Sequence, residues 1–248
     1  MGATGVIAVT GASRGIGAAI ALELARRGFT VGCLSRRGQG PEGVPIDGDL
    51  AGRLLSYVCD VTHEASVRQA LSALAHRTGG LRGLVNNAGI HQRGPSHTVS
   101  SADFDAILRT NATAVFAVCR EAYPHLVANG GGIIVNIGSF FDKMGVPGNL
   151  AYCASKAAVG AITRCLAVEW APMRIAVVNI APGYIETDFN REFLSRDAVR
   201  DFLAKRIPLG RTGSREEVAR LVAAVFGERI PFLTGATVYL DGGQGMAL

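Results

Sequence analysis

Tyr152 and Lys156 stand four residues apart in the run Tyr152-Cys153-Ala154-Ser155-Lys156. At that spacing on a helix both side chains share one face, so a phenol and an ammonium can reach the same point. A free phenol titrates near ~10 and exchanges protons poorly at neutral pH. A nearby ammonium favours the phenolate and lowers that value. The pair therefore suits proton donation to a carbonyl oxygen during reduction. Ser139 closes an apolar run shortly before Tyr152, and its hydroxyl can hold the same oxygen. Asn111 lies upstream in a long helical pattern. Each residue alone has a plainer role: Ser139 as a strand-end turn, Asn111 as a helix-surface amide, Lys156 as a solvated cation. The catalytic reading rests on their occurring together, downstream of a second motif.

That motif opens the chain. Val6–Thr10 runs directly into Gly11-Ala12-Ser13-Arg14-Gly15-Ile16-Gly17, and a helical pattern follows. Glycines let the backbone turn sharply and approach a pyrophosphate, while a helix N-terminus offers free N–H groups and a positive dipole end. The glycines sit where a nucleotide-binding turn must sit, between the first strand and the first helix. At the end of the second strand an acidic residue would hydrogen-bond a ribose hydroxyl and select NAD. Here that position is Ser35, followed by Arg36 and Arg37. No carboxylate repels a 2′-phosphate there, and guanidiniums can fork onto its oxygens. NADP(H) is the expected cofactor.

The segment Thr10–Gly17 resembles the coenzyme motif of the short-chain dehydrogenase/reductase family, and so does Asn86-Asn87-Ala88-Gly89 after the fourth strand. The resemblance continues in order through Asn111, Ser139, Tyr152, Lys156 and Pro182-Gly183, and covers essentially the whole chain. It implies a carbonyl reductase in which hydride passes from nicotinamide to carbonyl carbon and Tyr152 protonates the oxygen. It implies that Asn111 kinks its helix and anchors a water leading to Lys156, and that Lys156 and Tyr152 also meet the nicotinamide ribose. Arg14 resembles the second basic residue of NADP-preferring members. Asp60 and Val61 resemble the adenine-contacting pair. Asn87, Ala88 and Gly89 would line the adenosine side, and Pro182, Gly183, Ile185 and Thr187 would also contact the cofactor. Within the family the pattern is nearest to 3-oxoacyl-acyl-carrier-protein reductases, for example in Ala181-Pro182-Gly183-Tyr184-Ile185-Glu186-Thr187-Asp188. It departs from them at Asn129-Gly130-Gly131-Gly132, where those enzymes usually carry Lys or Arg to dock an acidic carrier. An acyl carrier protein is therefore not expected as a partner, and a free ketone or short acyl thioester stays open. Two readings compete: a cofactor-binding regulator without turnover, against which the intact set of four residues argues, and a family member doing dehydration or epimerisation, which usually has a longer chain and a different glycine spacing.

These residues need a scaffold. Val- and Ile-rich runs with little polar alternation read as strands covered on both faces: Val6–Thr10, Thr30–Ser35, Leu55–Cys59, Leu84–Asn86, Ile133–Ile137, Ile175–Ile180 and Thr237–Leu240. Amphipathic patterns at Gly15–Arg27, Glu64–Arg77, Ala102–Ala128, Tyr152–Glu169 and Arg215–Phe226 alternate with them. This predicts an α/β fold: a doubly wound parallel sheet of about seven strands, Rossmann-like, as one domain over residues 1–248. Residues 184–208 interrupt the alternation at the carboxyl end of a strand and read as a candidate substrate lid. The apolar loop after Ser139, with Phe140, Phe141, Met144 and Leu150, together with Tyr184, predicts an apolar substrate pocket, with His91 as a donor at its rim. Phe140 and Phe141 read equally well as core residues.

Composition excludes other classes. With 48% hydrophobic and 18% charged residues the chain is neither disordered nor a tail. The net charge of +5 is spread along it, with no basic run interleaved with aromatics, so nucleic acid is not an expected partner. The five cysteines form no C-x-x-C pair and the five histidines no H-x-x-x-H pair; no metal site and a reduced, cytoplasmic setting are expected. No apolar run reaches membrane-spanning length and no secretory signal pattern is seen. Small and apolar residues on more than one face of the Ala102–Ala128 helix, such as Ala112, Ala114, Val115, Ala117 and Val118, predict a partner surface, and the resemblance implies a homo-oligomer, a dimer or homotetramer.

Overall fold

The computed structural model describes residues 5–43, 46–187 and 196–246. The first strand, β1 (Val6–Thr10), is buried along its whole length, which requires cover on both faces. The other strands are β2 (Thr30–Ser35), β3 (Leu54–Val58), β4 (Gly83–Asn86), β5 (Gly132–Ile137), β6 (Ile175–Pro182), β7 (Ile185–Glu186), β8 (Gly213–Ser214) and β9 (Thr237–Leu240). Seven of them form one sheet in the order β3-β2-β1-β4-β5-β6-β9, parallel throughout. Helices cover both sides: α1 (Gly15–Arg26), α2 (Gly48–Arg53), α3 (Glu64–Thr78), α4 (Ser101–Leu108), α5 (Ala114–Ala128), α6 (Leu150–Trp170), α7 (Asp197–Arg206) and α8 (Arg215–Glu228). Ile20 and Leu24 of α1 and Val218, Val222 and Phe226 of α8 pack on one face of the sheet. Leu71 and Leu74 of α3, Val118 and Leu126 of α5 and Val159 and Leu166 of α6 pack on the other. The doubly wound α/β sheet read from the sequence is the observed fold.

Strand order reverses between β1 and β4, so a crevice opens where their carboxyl ends diverge, the usual place for a ligand in such sheets. The helix read over Ala102–Ala128 is broken by a π-helical turn at Arg109–Thr113, between α4 and α5, at the residue where the resemblance implied a kink, Asn111. The helix α2 and the two-stranded β7–β8 pair were not legible in apolar periodicity, because α2 buries none of its residues and the β strands have two residues each. In the expected lid, α7 turns Leu203 inward against Tyr184 and Ile207, while residues 188–195 lie outside the described set. The five small and apolar residues at 112–118 are all buried within the chain itself. They therefore supply no partner surface, a correction to the sequence reading; the large exposed apolar side chains are instead Phe116 and Val127 on α5 and Leu150 and Val168 on α6.

Candidate active site

The glycine loop is locked before any ligand is considered. Thr10 Oγ1 accepts from the backbone N–H of Asn87 at 3.0 Å and of Ala88 at 3.1 Å. Asn87 Nδ2 donates back to Thr10 O at 3.1 Å and to Gly11 O at 3.3 Å. The Asn-Asn-Ala-Gly turn is thus clamped to the Thr-Gly turn, joining the ends of β4 and β1. Gly11 has φ +65°, a left-handed conformation that glycine adopts without strain. A Cβ on Gly17 would collide with Gly11 O and the Asn87 amide, so glycine there brings helix α1 against the loop. Arg14, the N-cap of α1, makes no side-chain cap, leaving the helix N–H groups open to an anion. Thr187 lies against this loop, its methyl 3.9 Å from where a Gly15 Cβ would stand.

A cleft of about 400 Å³ runs along these turns. Gly11, Ser13 and Arg14 line one side, Ser35, Arg36, Asp60 and Val61 another, and Asn87, Ala88 and Gly89 the floor. Sequence reasoning missed Cys59, Thr62, Ile90 and Thr110, which also line it. Arg14 and Arg36 are exposed and have no acidic partner among the described residues. Arg37 differs: its Nη2 pairs with Glu42 Oε1 at 2.8 Å, and it does not line the cleft. Ser35 turns its hydroxyl into its own loop, donating to Gln39 O and accepting from Gln39 N, both at 2.8 Å. The carboxylate of Asp60 is held by Thr62 N at 2.9 Å and Thr62 Oγ1 at 2.7 Å, and these bonds lower its pKa. Gly15, Ile16 and Gly17, at the start of α1, do not line this cleft. Pro182 is buried at the end of β6 and Gly183 bonds Leu240 O at 2.9 Å, which leaves Ile185 buried among the α1 and α8 side chains.

The four proposed catalytic side chains come from three elements. Lys156 and Tyr152 project from α6, with Lys156 Nζ 5.6 Å from the Tyr152 ring centre. The ammonium donates to Ile137 O, at the end of β5, at 2.8 Å. Lys156 is buried, and burial lowers its pKa to about 8. Ser139 begins the turn after β5; its Oγ accepts from Phe141 N at 3.3 Å. Burial pushes the Tyr152 phenol up to about 12, opposed by a hydrogen bond with Ser139. The sequence reading expected a lowered phenol; loss of solvent around the ring outweighs the ammonium, which is directed at a carbonyl. Asn111 sits in the π turn and is buried. Its amide brackets Ile90, accepting from Ile90 N and donating to Ile90 O, each at 2.8 Å. Its Nδ2 also reaches Ser155 Oγ at 3.2 Å, tying the π turn to α6 beside Lys156.

Aromatic rings surround Tyr152. Phe141 meets it edge-on at 5.9 Å, Phe140 and Phe141 both touch Tyr184, at 5.4 and 6.1 Å, and His91 lies T-shaped against it at 4.8 Å. Phe140 and Phe141 are buried, so they serve packing and border the site at once. Met144 is half-buried. Leu150 is exposed and lines a separate cleft of about 310 Å³ with Arg93, Val99 and Ile107. Sequence reasoning also missed Asn149, the N-cap residue of α6, which bonds His91; its position three before Tyr152 was the available signal. Below the site, Asn86 Nδ2 donates to Asn136 Oδ1 at 2.9 Å and Asn136 Nδ2 to Thr163 Oγ1 at 2.9 Å, fixing β4, β5 and α6 to one another. No cluster of metal-ligating side chains occurs among the described residues, and none of their helices is long and apolar enough to cross a membrane.

Comparison with known proteins agrees with this geometry. A family model described as enoyl-(acyl carrier protein) reductase matches residues 11–244. The human 3-oxoacyl-[acyl-carrier-protein] reductase is 36% identical over 243 residues, 98% of this chain and 99% of its own. Among solved structures, a short-chain type dehydrogenase/reductase from Mycobacterium marinum superposes with a TM-score of 0.89 at 32% identity, covering 97% of this chain and 95% of that one. A gluconate 5-dehydrogenase from Burkholderia cenocepacia, in complex with NADP and tartrate, superposes with a TM-score of 0.88 at 32% identity, covering 98% and 96%.

Proposed function

The chain belongs to the short-chain dehydrogenase/reductase family, and from that premise we propose that it is an NADPH-dependent reductase of ketones or 3-oxoacyl thioesters. One observation carries the reading: Tyr152 shares a helix face with a buried ammonium and stands beside Ser139, whose hydroxyl lowers the phenol's pKa, close to a cleft lined by Arg14 and Arg36, which have no acidic partner among the described residues. The family uses a nicotinamide cofactor, and a neighbour binds NADP. The donor set fits its phosphates. The uncapped start of α1 and the glycine loop suit the pyrophosphate, and Arg14 and Arg36 suit a 2′-phosphate. A bound nicotinamide supplies the reducing equivalent for the carbonyl carbon.

The chain's own residues do the rest. The hydroxyls of Ser139 and Tyr152 hold the carbonyl oxygen. Tyr152, at about 12, keeps its proton at neutral pH and can give it to the alkoxide that forms. Lys156, at about 8, is charged at neutral pH and stabilises the phenolate left behind. Asn111 acts as a positioning residue, holding Ile90 and, through Ser155, α6. Phe116 on α5 and Val168 on α6 are 41% and 79% exposed, which supports a homo-oligomer, with dimer or tetramer distinguished by light scattering. The test of function is a panel of ketones, a 3-oxoacyl thioester and a 2-enoyl thioester, followed by loss of NADPH absorbance. Carbonyl substrates should turn over, and Tyr152→Phe should lower their rate by about 10²–10⁴. Turnover of the enoyl thioester alone, or activity surviving in Tyr152→Phe, overturns the reading.

A further inference from the structure

Backbone N–H and C=O of Ile90 are both gripped by Asn111, so the point where the next side chain, His91, leaves the chain is fixed. Its Nε2 lies 2.7 Å from Asn149 Oδ1. The orientation of that amide is decided by its other bond: Asn149 Nδ2 donates to Pro147 O at 2.9 Å, so Oδ1 is the acceptor facing His91. An acceptor there demands a hydrogen on Nε2, and in the neutral ring the proton then cannot also sit on Nδ1. Nδ1 is therefore a bare acceptor, with no donor facing it among the described residues. The sequence reading had His91 as a donor at the rim; its donor is already engaged.

The imidazole is exposed yet held. Asn149 is buried and immediately precedes the helix that carries Tyr152 and Lys156, and the His91 ring stands 4.8 Å from the Tyr152 ring. A substrate whose carbonyl oxygen meets the Tyr152 hydroxyl therefore lies beside the imidazole that carries this acceptor. Beside it the Phe141 ring also meets Tyr152, with Phe140 and Tyr184 packed on Phe141. One fixed acceptor in such a wall selects a substrate that brings its own O–H.

We propose that His91 Nδ1 accepts a hydrogen bond from a hydroxyl on the carbon next to the substrate carbonyl, making α-hydroxy ketones the preferred substrate class. The assignment rests on the reductase reading above and narrows it. It is tested by steady-state reduction of 1-hydroxy-2-butanone and 2-butanone with NADPH. The wild type should favour the hydroxy ketone in kcat/KM, mainly through KM. His91→Gln keeps an amide within reach of Asn149 but has nothing in the place of Nδ1; the preference should fall about tenfold, the loss of one net hydrogen bond. His91→Asn carries an oxygen near the former Nδ1 and should retain most of the preference. An unchanged preference in His91→Gln, or no preference in the wild type, overturns the assignment and leaves the reductase reading standing. A wild type that reduces no carbonyl compound of the panel overturns both.

Discussion

Lys156→Met should give a protein that is nearly inactive and, at neutral pH, no less stable. The ammonium is buried and its pKa falls from 10.5 to about 8 through desolvation. One pKa unit is ~1.36 kcal/mol, so keeping the charge at pH 7 costs the fold about 3 kcal/mol. Methionine removes that cost but strands Ile137 O, which accepts from Nζ at 2.8 Å; a buried unpaired carbonyl costs about 1–3 kcal/mol. The net expectation is a gain of about 0–2 kcal/mol at pH 7, or up to ~8 °C in Tm at ~2–4 °C per kcal/mol for a domain of this size. The pH dependence is sharper. Between pH 8 and 10.5 the unfolded chain keeps the Lys156 proton and the folded chain loses it, so wild-type stability rises with pH across that window. The variant lacks this rise, and every other titrating group is common to both proteins. By pH 10 the wild type should have gained about 2–3 kcal/mol on the variant, reversing or closing the gap. Paired thermal or denaturant melts at pH 7 and pH 10 measure it, and NADPH-dependent turnover should be down about 10²–10⁴. A stability difference that does not change between the two pH values would refute the reasoning.

Three further outcomes follow from the same geometry. Arg36→Asp should weaken NADPH by the loss of a charged contact, about 1.5–3 kcal/mol or roughly 10–150-fold, with NADH affected far less; calorimetric titration with both coenzymes checks this, and equal losses contradict it. Asn111→Leu strands the N–H and C=O of Ile90 and should cost about 2–4 kcal/mol, read as a lowered denaturation midpoint; an unchanged midpoint contradicts the bracketing role. Ketone reduction should decline as pH rises through about 8, where Lys156 loses its charge, and a flat kcat/KM from pH 7 to 9.5 would show that this charge is not used.

Much of the fold was legible because a parallel sheet covered on both faces leaves unbroken apolar runs, such as Val6–Thr10 and Ile175–Ile180. The motif residues were legible by type and order. What escaped depended on packing partners distant in sequence. Arg37 reads like Arg36 in the chain, but only the structure shows it paired with Glu42. Ala112, Ala114, Val115, Ala117 and Val118 read as a surplus face, yet the fold buries all five and leaves Phe116 among them exposed. The π turn itself leaves no periodic trace over five residues. Asn149 carries no chemistry of its own, and its role emerges only through its bond to His91.

The opposite pKa displacements of the pair on α6 bear on the direction of reaction. In water a phenol and an ammonium titrate within about half a unit of each other. Burial pushes the Tyr152 phenol up to about 12 and the Lys156 ammonium down to about 8, because in both cases it disfavours the charged form. At neutral pH the two groups nonetheless both hold their protons: a neutral phenol ready to donate, and a cation ready to stabilise what remains. That is the state needed to reduce a carbonyl. Oxidising an alcohol needs the phenolate, whose population grows about tenfold per pH unit below its pKa and which is scarce at neutral pH with the phenol at about 12. The same desolvation that makes Lys156 costly to the fold therefore leaves the pair, at neutral pH, in the protonation state that carbonyl reduction would use.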